Sequence, residues 1–405
     1  MNGLRLRVAF LILVLLVLPV PSVWADDPIR VLLFQDLSTV WLSAERGVIL
    51  EFPDRGPRLV RAPIRVETAP GLGLRVNGST VSADRLIVRG REEPLTVTYE
   101  PRLGSAGGHG DGPKLESSSL RLAFDGILEV KAGSAGLVGI NVVDLEAYVK
   151  GVVPAEMNAG WHEEALKAQA VASRTYAVYQ RAVNAGQDYD VISTVRDQVY
   201  KGRGAVTPRV ESAVEATRGM VLTYEGAPIL ATFSSTAAGP TEDAANVWAK
   251  DLPYLKGVDC PFDQQSPHFE WQARFRLEDL EAGLLREGFA VGAIASMTPY
   301  AYSRAGRVTK VRILHSVGEL VLRGEALRRA VGYQVIRSTQ FHIEFFGRDV
   351  VLSGHGAGHA VGLCQWGAKE LAEMGHSFQA ILFYYFPGTE LEPLRATRLV
   401  FSAQP

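Results

Sequence analysis

The segment from Trp161 to Ala185 (WHEEALKAQAVASRTYAVYQRAVNA) constrains this chain more than any other. It contains neither Gly nor Pro and is rich in Ala, so its backbone has every reason to stay helical and little reason to turn. Glu163 and Glu164 fall in the first turn, where negative charge complements the helix dipole. At helical spacing, Leu166, Ala170, Ser173 and Ala177 share one face, while Lys167, Arg174 and Arg181 share another. Small residues on several faces predict a helix packed by neighbours all round, at the centre of a core rather than on its surface.

The rest of the chain reads as strands before this helix and a mixture after it. From Asp26 to about Val130, short runs rich in branched residues alternate with Gly, Pro, Asn and Asp. These runs are Ile29 to Phe34, Gly47 to Phe52, Leu59 to Val66, Leu72 to Val76, Leu86 to Val88 and Leu95 to Tyr99. Leu120 to Phe124, Ile127 to Val130 and Leu137 to Val143 continue the pattern and lead into the apolar Val149 to Val153. Gly104 to Gly112, which contains His109, has the composition of a flexible loop. A second helix is predicted over Arg209 to Arg218, with strands at Met220 to Tyr224 and Ile229 to Phe233. Short helices and strands mix from Phe275 to Val350, and two further helices are predicted near Gln365 to Met374 and over Phe378 to Phe386. Strands and helices cluster without regular alternation, which makes the fold class α+β, with a β-rich N-terminal region.

Charge and the N-terminus bound the working environment. Lys and Arg number 42 against 44 Asp and Glu, so the chain lacks the basic excess that a nucleic-acid backbone demands. Arg5 and Arg7 precede an apolar run from Val8 to Leu18, and Pro19 to Ala25 ends in small residues at the usual positions. This is the pattern of a secretory signal peptide cut before Asp26, and it predicts export to the periplasm, wall or exterior. An uncut membrane anchor is the alternative, although the apolar run is short for a span. The only cysteines are Cys260 and Cys364. Export permits a disulfide between them, two reduced and buried thiols are equally compatible, and neither residue has metal-site spacing.

Four ordered blocks carry chemistry. The first runs from Leu145 through Pro154-Ala155-Glu156-Met157 into Glu164 to Ala170 and on to Arg174-Thr175-Tyr176. The second is Asp197-Gln198-Val199-Tyr200. The third is Phe233-Ser234-Ser235-Thr236 with Gly239, Thr241 and Glu242, and the fourth is Gly358-His359 through Gly362 to Gln365, Gly367 and Ala368. Together these blocks resemble the SpoIID/LytB family, the stage II sporulation protein D and amidase-enhancer relatives, over roughly Leu120 to Leu391. The resemblance divides the chain into a signal peptide (1–25), a β-rich region (26–119) and a family-like domain with a glycan-binding groove (120–395).

In that family the residue matching Glu156 is the acid/base of a lytic transglycosylase, which cuts the MurNAc–GlcNAc bond of peptidoglycan and leaves a 1,6-anhydro end. One carboxyl suffices because the C6 hydroxyl of the substrate replaces the second carboxylate of ordinary glycosidases. Glu156 must then begin protonated, which calls for partial burial, and Val152, Val153, Pro154, Met157 and Trp161 can supply it. A capping or ion-paired Glu156 is the plainer alternative. Gln169, Tyr176, Gln198, Tyr200, Ser234, Ser235, Thr236, His359 and Gln365 are the matching candidates for substrate contact. Arg174 suits either a grip on glycan hydroxyl and acidic groups or a structural role on its helix. The resemblance equally allows a non-catalytic glycan-binding enhancer of an N-acetylmuramoyl-L-alanine amidase, with that amidase as partner.

Other chemistries find less support. The Gly354 to Gly362 turn lacks the Lys-Ser/Thr ending of a phosphate loop, which argues against nucleotides. His355 and His359 lie in this Gly-rich turn and do not make a convincing metal pair. Some family members hold zinc in the segment matching Asp190 to Tyr200, but here it offers no Cys or His, so no metal and no cofactor is expected. Ser234 and Ser235 lack the setting of a hydrolase nucleophile. The fourth block departs from the family's usual Gly at Ala360 and usual Ser at Cys364, which puts the shape of that turn in question.

Overall fold

The computed structural model describes residues 28–394 except 72, 82 and 101–118. The expected signal peptide, Leu72 and the loop bearing His109 lie outside the described residues. Among the described residues no helix is long and apolar enough to cross a membrane.

The first half of the chain builds two sheets against a set of helices, antiparallel throughout except for the parallel edge strand Val191–Ile192. The larger sheet has seven strands, ordered Val191–Ile192, Pro28–Leu37, Leu137–Asp144, Ile127–Ala132, Arg85–Gly90, Val48–Phe52 and Arg55–Val60. The second has six: Leu120–Phe124, Leu95–Tyr99, Thr39–Ser43, Ile64–Ala69, Gly73–Val76 and Ser79–Val81. The expected boundary at residue 119 is therefore crossed by backbone hydrogen bonds on both sides. Pro28–Leu37 pairs with Leu137–Asp144, and Leu120–Phe124 pairs with Leu95–Tyr99. The run expected as one strand from Leu59 to Val66 is two, separated at Pro63, which has no N–H to give a ladder.

Among the described residues eight α-helices follow, beginning with α1 (Leu145–Glu156) and α2 (Glu163–Val183). The Asp144 carboxylate caps α1 by accepting the N–H groups of Glu146 and Ala147, both at 3.0 Å. Val149 to Val153, read in sequence as a continuation of strands, lies inside α1; the cap and the packing of both apolar faces override the β preference of valine. The expected long helix is α2, capped by His162, with every residue from Ala168 to Val178 buried. It packs against α1, α3 (Pro208–Ala216), α7 (Gln365–Glu373) and α8 (Phe378–Tyr385). The run from Ile229 to Thr232, also expected as a strand, is buried but irregular, with N–H groups of Ala231 and Thr232 bonded two residues back. An apolar run with no alternation does not by itself select a ladder.

A separate module is inserted between the third and fourth motif blocks. Glu270–Arg276, Asp349–His355 and Phe341–Phe346 form one three-stranded sheet, and Ile294–Tyr302, Val308–His315 and Gly318–Arg323 form another. With α5 (Leu277–Arg286) and α6 (Gly324–Val331) they enclose their own core, including Phe275, Leu280, Leu284, Val311, Ile313, Leu327 and Leu352. Its first and last strands pair, Glu270 opposite His355, so the chain leaves and rejoins the main body at one place. The short helix α4 (Ala244–Trp248) lies just before it. From the module, Arg307 reaches back and donates through Nη2 to the Ala237 carbonyl.

Candidate active site

Glu156 is the last residue of α1, and the next residue turns to extended backbone. The helix thus delivers its carboxyl to a junction of three other segments: the 197–202 loop, α2 and the start of α7. Gly151 allows the loop in: a Cβ there would lie 2.5 Å from Tyr200 Cε2 and 2.9 Å from the Gly202 carbonyl oxygen. The loop is then held firmly. Tyr148 donates to Gln198 Oε1 at 3.0 Å, Tyr200 donates to Asn141 Oδ1 at 3.0 Å, and the Tyr148 and Tyr200 rings pack 5.0 Å apart. Asp197 accepts from the Tyr176 hydroxyl at 2.6 Å and from the Ile192 N–H at 2.8 Å.

This anchoring aims the Val199 N–H at Glu156 Oε1, 2.6 Å away. Gln365, the first residue of α7, hydrogen-bonds the same carboxyl and donates to Gln169 Oε1 at 3.4 Å; Gln169 in turn donates to Ser173 Oγ at 3.0 Å. Burial pushes the Glu156 pKa up from 4.5 to about 7 and outweighs the Val199 and Gln365 hydrogen bonds and the more distant Lys201 charge, which pull it down. All its direct partners are neutral. Such a carboxyl divides its time at neutral pH between acid and carboxylate, which is what a group that must both give and take a proton requires.

The sequence-derived set is divided by the structure. Gln169, Gln365 and the Val199 backbone stand with Glu156. Arg174 does not: it is wholly buried and bonded through Nε and Nη2 to both oxygens of Glu146 (2.8 and 2.6 Å), with the Met220 carbonyl on Nη1 at 3.2 Å. Of its two possible roles, this geometry is the structural one, because no donor is left to face a ligand. Gln198 and Thr236 are also fully enclosed, and Tyr200 nearly so, with their polar atoms paired inside. They hold the walls and do not reach solvent. Tyr176 is likewise spent on Asp197.

The third and fourth blocks meet as a parallel pair, Phe233 beside Leu363 and Ser234 beside Cys364. Ser234 Oγ accepts the Ala360 N–H at 3.1 Å, and the Ser235 carbonyl accepts the Trp366 N–H at 3.1 Å. Ala360 has φ +59°, a left-handed conformation that favours the glycine usual in the family, so the alanine is tolerated with strain. His359 turns toward the inserted module. Its Nδ1 accepts the Val361 N–H at 3.0 Å, its ring meets Trp248 edge-on, and it borders a small cavity with Glu242 and Arg307. Burial and the nearby Arg328 and Arg307 hold its pKa down to about 3, so it stays neutral.

Two aromatic residues near the carboxyl carried weaker sequence signals. Trp161 was legible only as an apolar neighbour, and Trp366 not at all. They meet edge-on with centroids 5.0 Å apart, and both are half-buried. Adjacency to Glu156 and Gln365 in the chain was the clue available. For metals, one group of ligand-type side chains among the described residues is close-set: Cys260, Asp263 and Cys364, all buried. Cysteines 104 positions apart in sequence are thus neighbours in space.

A family model described as "Stage II sporulation protein" matches residues 134–224, and a second, described as a domain of unknown function, matches residues 243–362. The stage II sporulation protein D of Bacillus subtilis is 33% identical over 267 residues, 62% of this chain and 74% of that protein. An uncharacterized protein of Brachyspira hyodysenteriae is 33% identical over 258 residues, 63% of this chain and 68% of its own length. The amidase enhancer of Bacillus subtilis is 31% identical over 291 residues, 60% of this chain but only 40% of the enhancer.

Proposed function

The chain belongs to the stage II sporulation protein D family, and on that premise we propose that it is an exported lytic transglycosylase of peptidoglycan, with Glu156 as acid and base. The observation that carries this reading is the Glu156 carboxyl, raised to about 7 and touched only by neutral donors. With Oε1 taken by the Val199 N–H, the other oxygen is the natural place for the proton. Protonated Glu156 gives that proton to the glycosidic oxygen as the MurNAc C1–O bond breaks. The carboxylate so formed then takes the proton of the C6 hydroxyl as its oxygen closes on C1. The anhydro ring forms, Glu156 is protonated again, and no water is consumed. The Val199 and Gln365 hydrogen bonds stabilise the carboxylate in the interval, and Trp161 and Trp366 offer apolar faces to the pyranose rings.

The test is mass spectrometry of muropeptides after incubation of the protein, and of Glu156→Gln, with intact and amidase-treated peptidoglycan. Anhydro-muramyl ends from the native protein alone are expected. The similarity to an amidase enhancer supports a second reading, glycan binding that stimulates an amidase. Glycan binding without products from either protein, together with faster amidase turnover, would replace the first reading by the second.

A further inference from the structure

Away from Glu156, the Sγ atoms of Cys260 and Cys364 and a carboxylate oxygen of Asp263 all lie within 4.8 Å of one another. The residues are at most 2% exposed. Cys260 and Asp263 come from the turn (Cys260-Pro261-Phe262-Asp263) that precedes the inserted module, and Cys364 is the N-cap of α7. Neither thiol takes part in the chemistry proposed for Glu156.

Polar groups converge on Cys364 Sγ. Cys364 Sγ accepts the N–H groups of Ala237 at 3.3 Å and Gly367 at 3.4 Å, and it stands at the positive end of α7. As a thiol it donates to Asp263 Oδ2 at 3.2 Å, an oxygen that also accepts the Ala238 N–H at 2.8 Å. Asp263 Oδ1 is buried and has no hydrogen-bond partner. An orphaned carboxylate oxygen in a closed interior is costly, and nothing else within the cluster answers it. A disulfide would join the two sulphurs and leave that oxygen as it is. A cation satisfies all three groups together.

We propose that Cys260, Asp263 and Cys364 bind a structural divalent zinc ion. Two thiolates and a carboxylate are the donor set of a soft, zinc-type site, and the Tyr385 hydroxyl, 3.2 Å from Cys260 Sγ, is the further oxygen at hand. Binding releases one proton from each thiol, so the ion and its three ligands carry one net negative charge. Buried Arg307, whose Nη2 is bonded to the Ala237 carbonyl, supplies the balancing positive charge. The ion ties the entrance of the inserted module to the start of α7. It therefore fixes Gln365, the residue after Cys364, against Glu156.

The full-length protein, purified without reductant or chelator, is expected to carry about one zinc per chain by elemental mass spectrometry. After removal of the zinc, added cobalt should give a thiolate-to-cobalt charge-transfer band in the near ultraviolet. Asp263→Asn should weaken zinc binding by more than ~100-fold, beyond what loss of an outer partner brings. Cys364→Ser should weaken the cobalt band, because Cys260 alone then supplies a thiolate. A chain lighter by two hydrogens with no free thiol, or a cobalt complex without the thiolate band, would overturn the proposal. Both are read on the native protein, so the decision stands even if a variant folds poorly.

Discussion

Helix α1 carries a glutamate near each end, Glu146 buried and Glu156 half-buried, and the two have opposite surroundings. Glu146, in the first turn, is held by both arms of the Arg174 guanidinium and by the Gly219 N–H at 3.0 Å. Glu156, at the last residue, has a backbone N–H and an amide but no cation in contact. The first arrangement sets a carboxylate against a guanidinium and knits α1, α2 and α3 together. The second makes the charge expensive, so the proton can come and go. One side-chain type on one helix thus serves as structure or as chemistry according to whether a counter-ion is built beside it.

The sharpest way to break this contrast is Glu156→Gln. It should lower glycan cleavage by ~10²–10⁴-fold while leaving the fold intact, because only a transferable proton is lost. Undiminished cleavage by this variant would remove Glu156 from the chemistry altogether. At the other end, Arg174→Ala strands the Glu146 charge and should cost about 3–5 kcal/mol in urea denaturation, whereas the double change Glu146→Gln with Arg174→Met should recover most of it. A single variant as stable as the parent would show that the pair holds little together.

The pH dependence of stability distinguishes the two ends again. Glu156 has a raised folded-state pKa, about 7 against 4.5 unfolded. Between those values the folded chain binds more protons than the unfolded chain, so stability falls as pH rises. Relative to Glu156→Gln, the native protein should lose up to about 3 kcal/mol across that window, a difference read from denaturation curves at several pH values. A difference that does not change with pH would mean that the carboxyl titrates normally. The smallest effect is expected from Gln365→Leu. Its hydrogen bond holds the Glu156 pKa down, so its loss should move the alkaline limb of the activity profile upward by about one unit. Melting behaviour tied to the Glu146–Arg174 pair should not change.

Much of this was legible before the fold. Helix α2 could be read because helical propensity and the absence of Gly and Pro act locally over many turns. Most of the short strands could be read because branched residues and turn residues alternate. Helix α1 was not read, since Val149 to Val153 carries a β-like composition and its cap, Asp144, looks like an ordinary turn residue. Nor was the inserted module, whose separate core gathers residues from Trp271 through to Leu352 in a way that local pattern does not reveal.

The candidate site divides in the same way. The four blocks singled out Glu156, Gln169 and Gln365, but gave Arg174, Gln198, Tyr200 and Thr236 the same standing. Burial separates them, and burial is decided by neighbours distant in the chain. Arg174 finds its carboxylate 28 positions away, Glu156 finds the Val199 N–H 43 positions away, and Gln365 meets Gln169 across 196. By itself the sequence determined the long helix α2, most of the short strands, and which residue types stand ready for proton transfer. Only the tertiary structure decided which glutamate meets a guanidinium, and where two distant sulphurs meet a half-satisfied carboxylate. Propensity acts between neighbours in sequence, whereas desolvation and charge pairing act between neighbours in space.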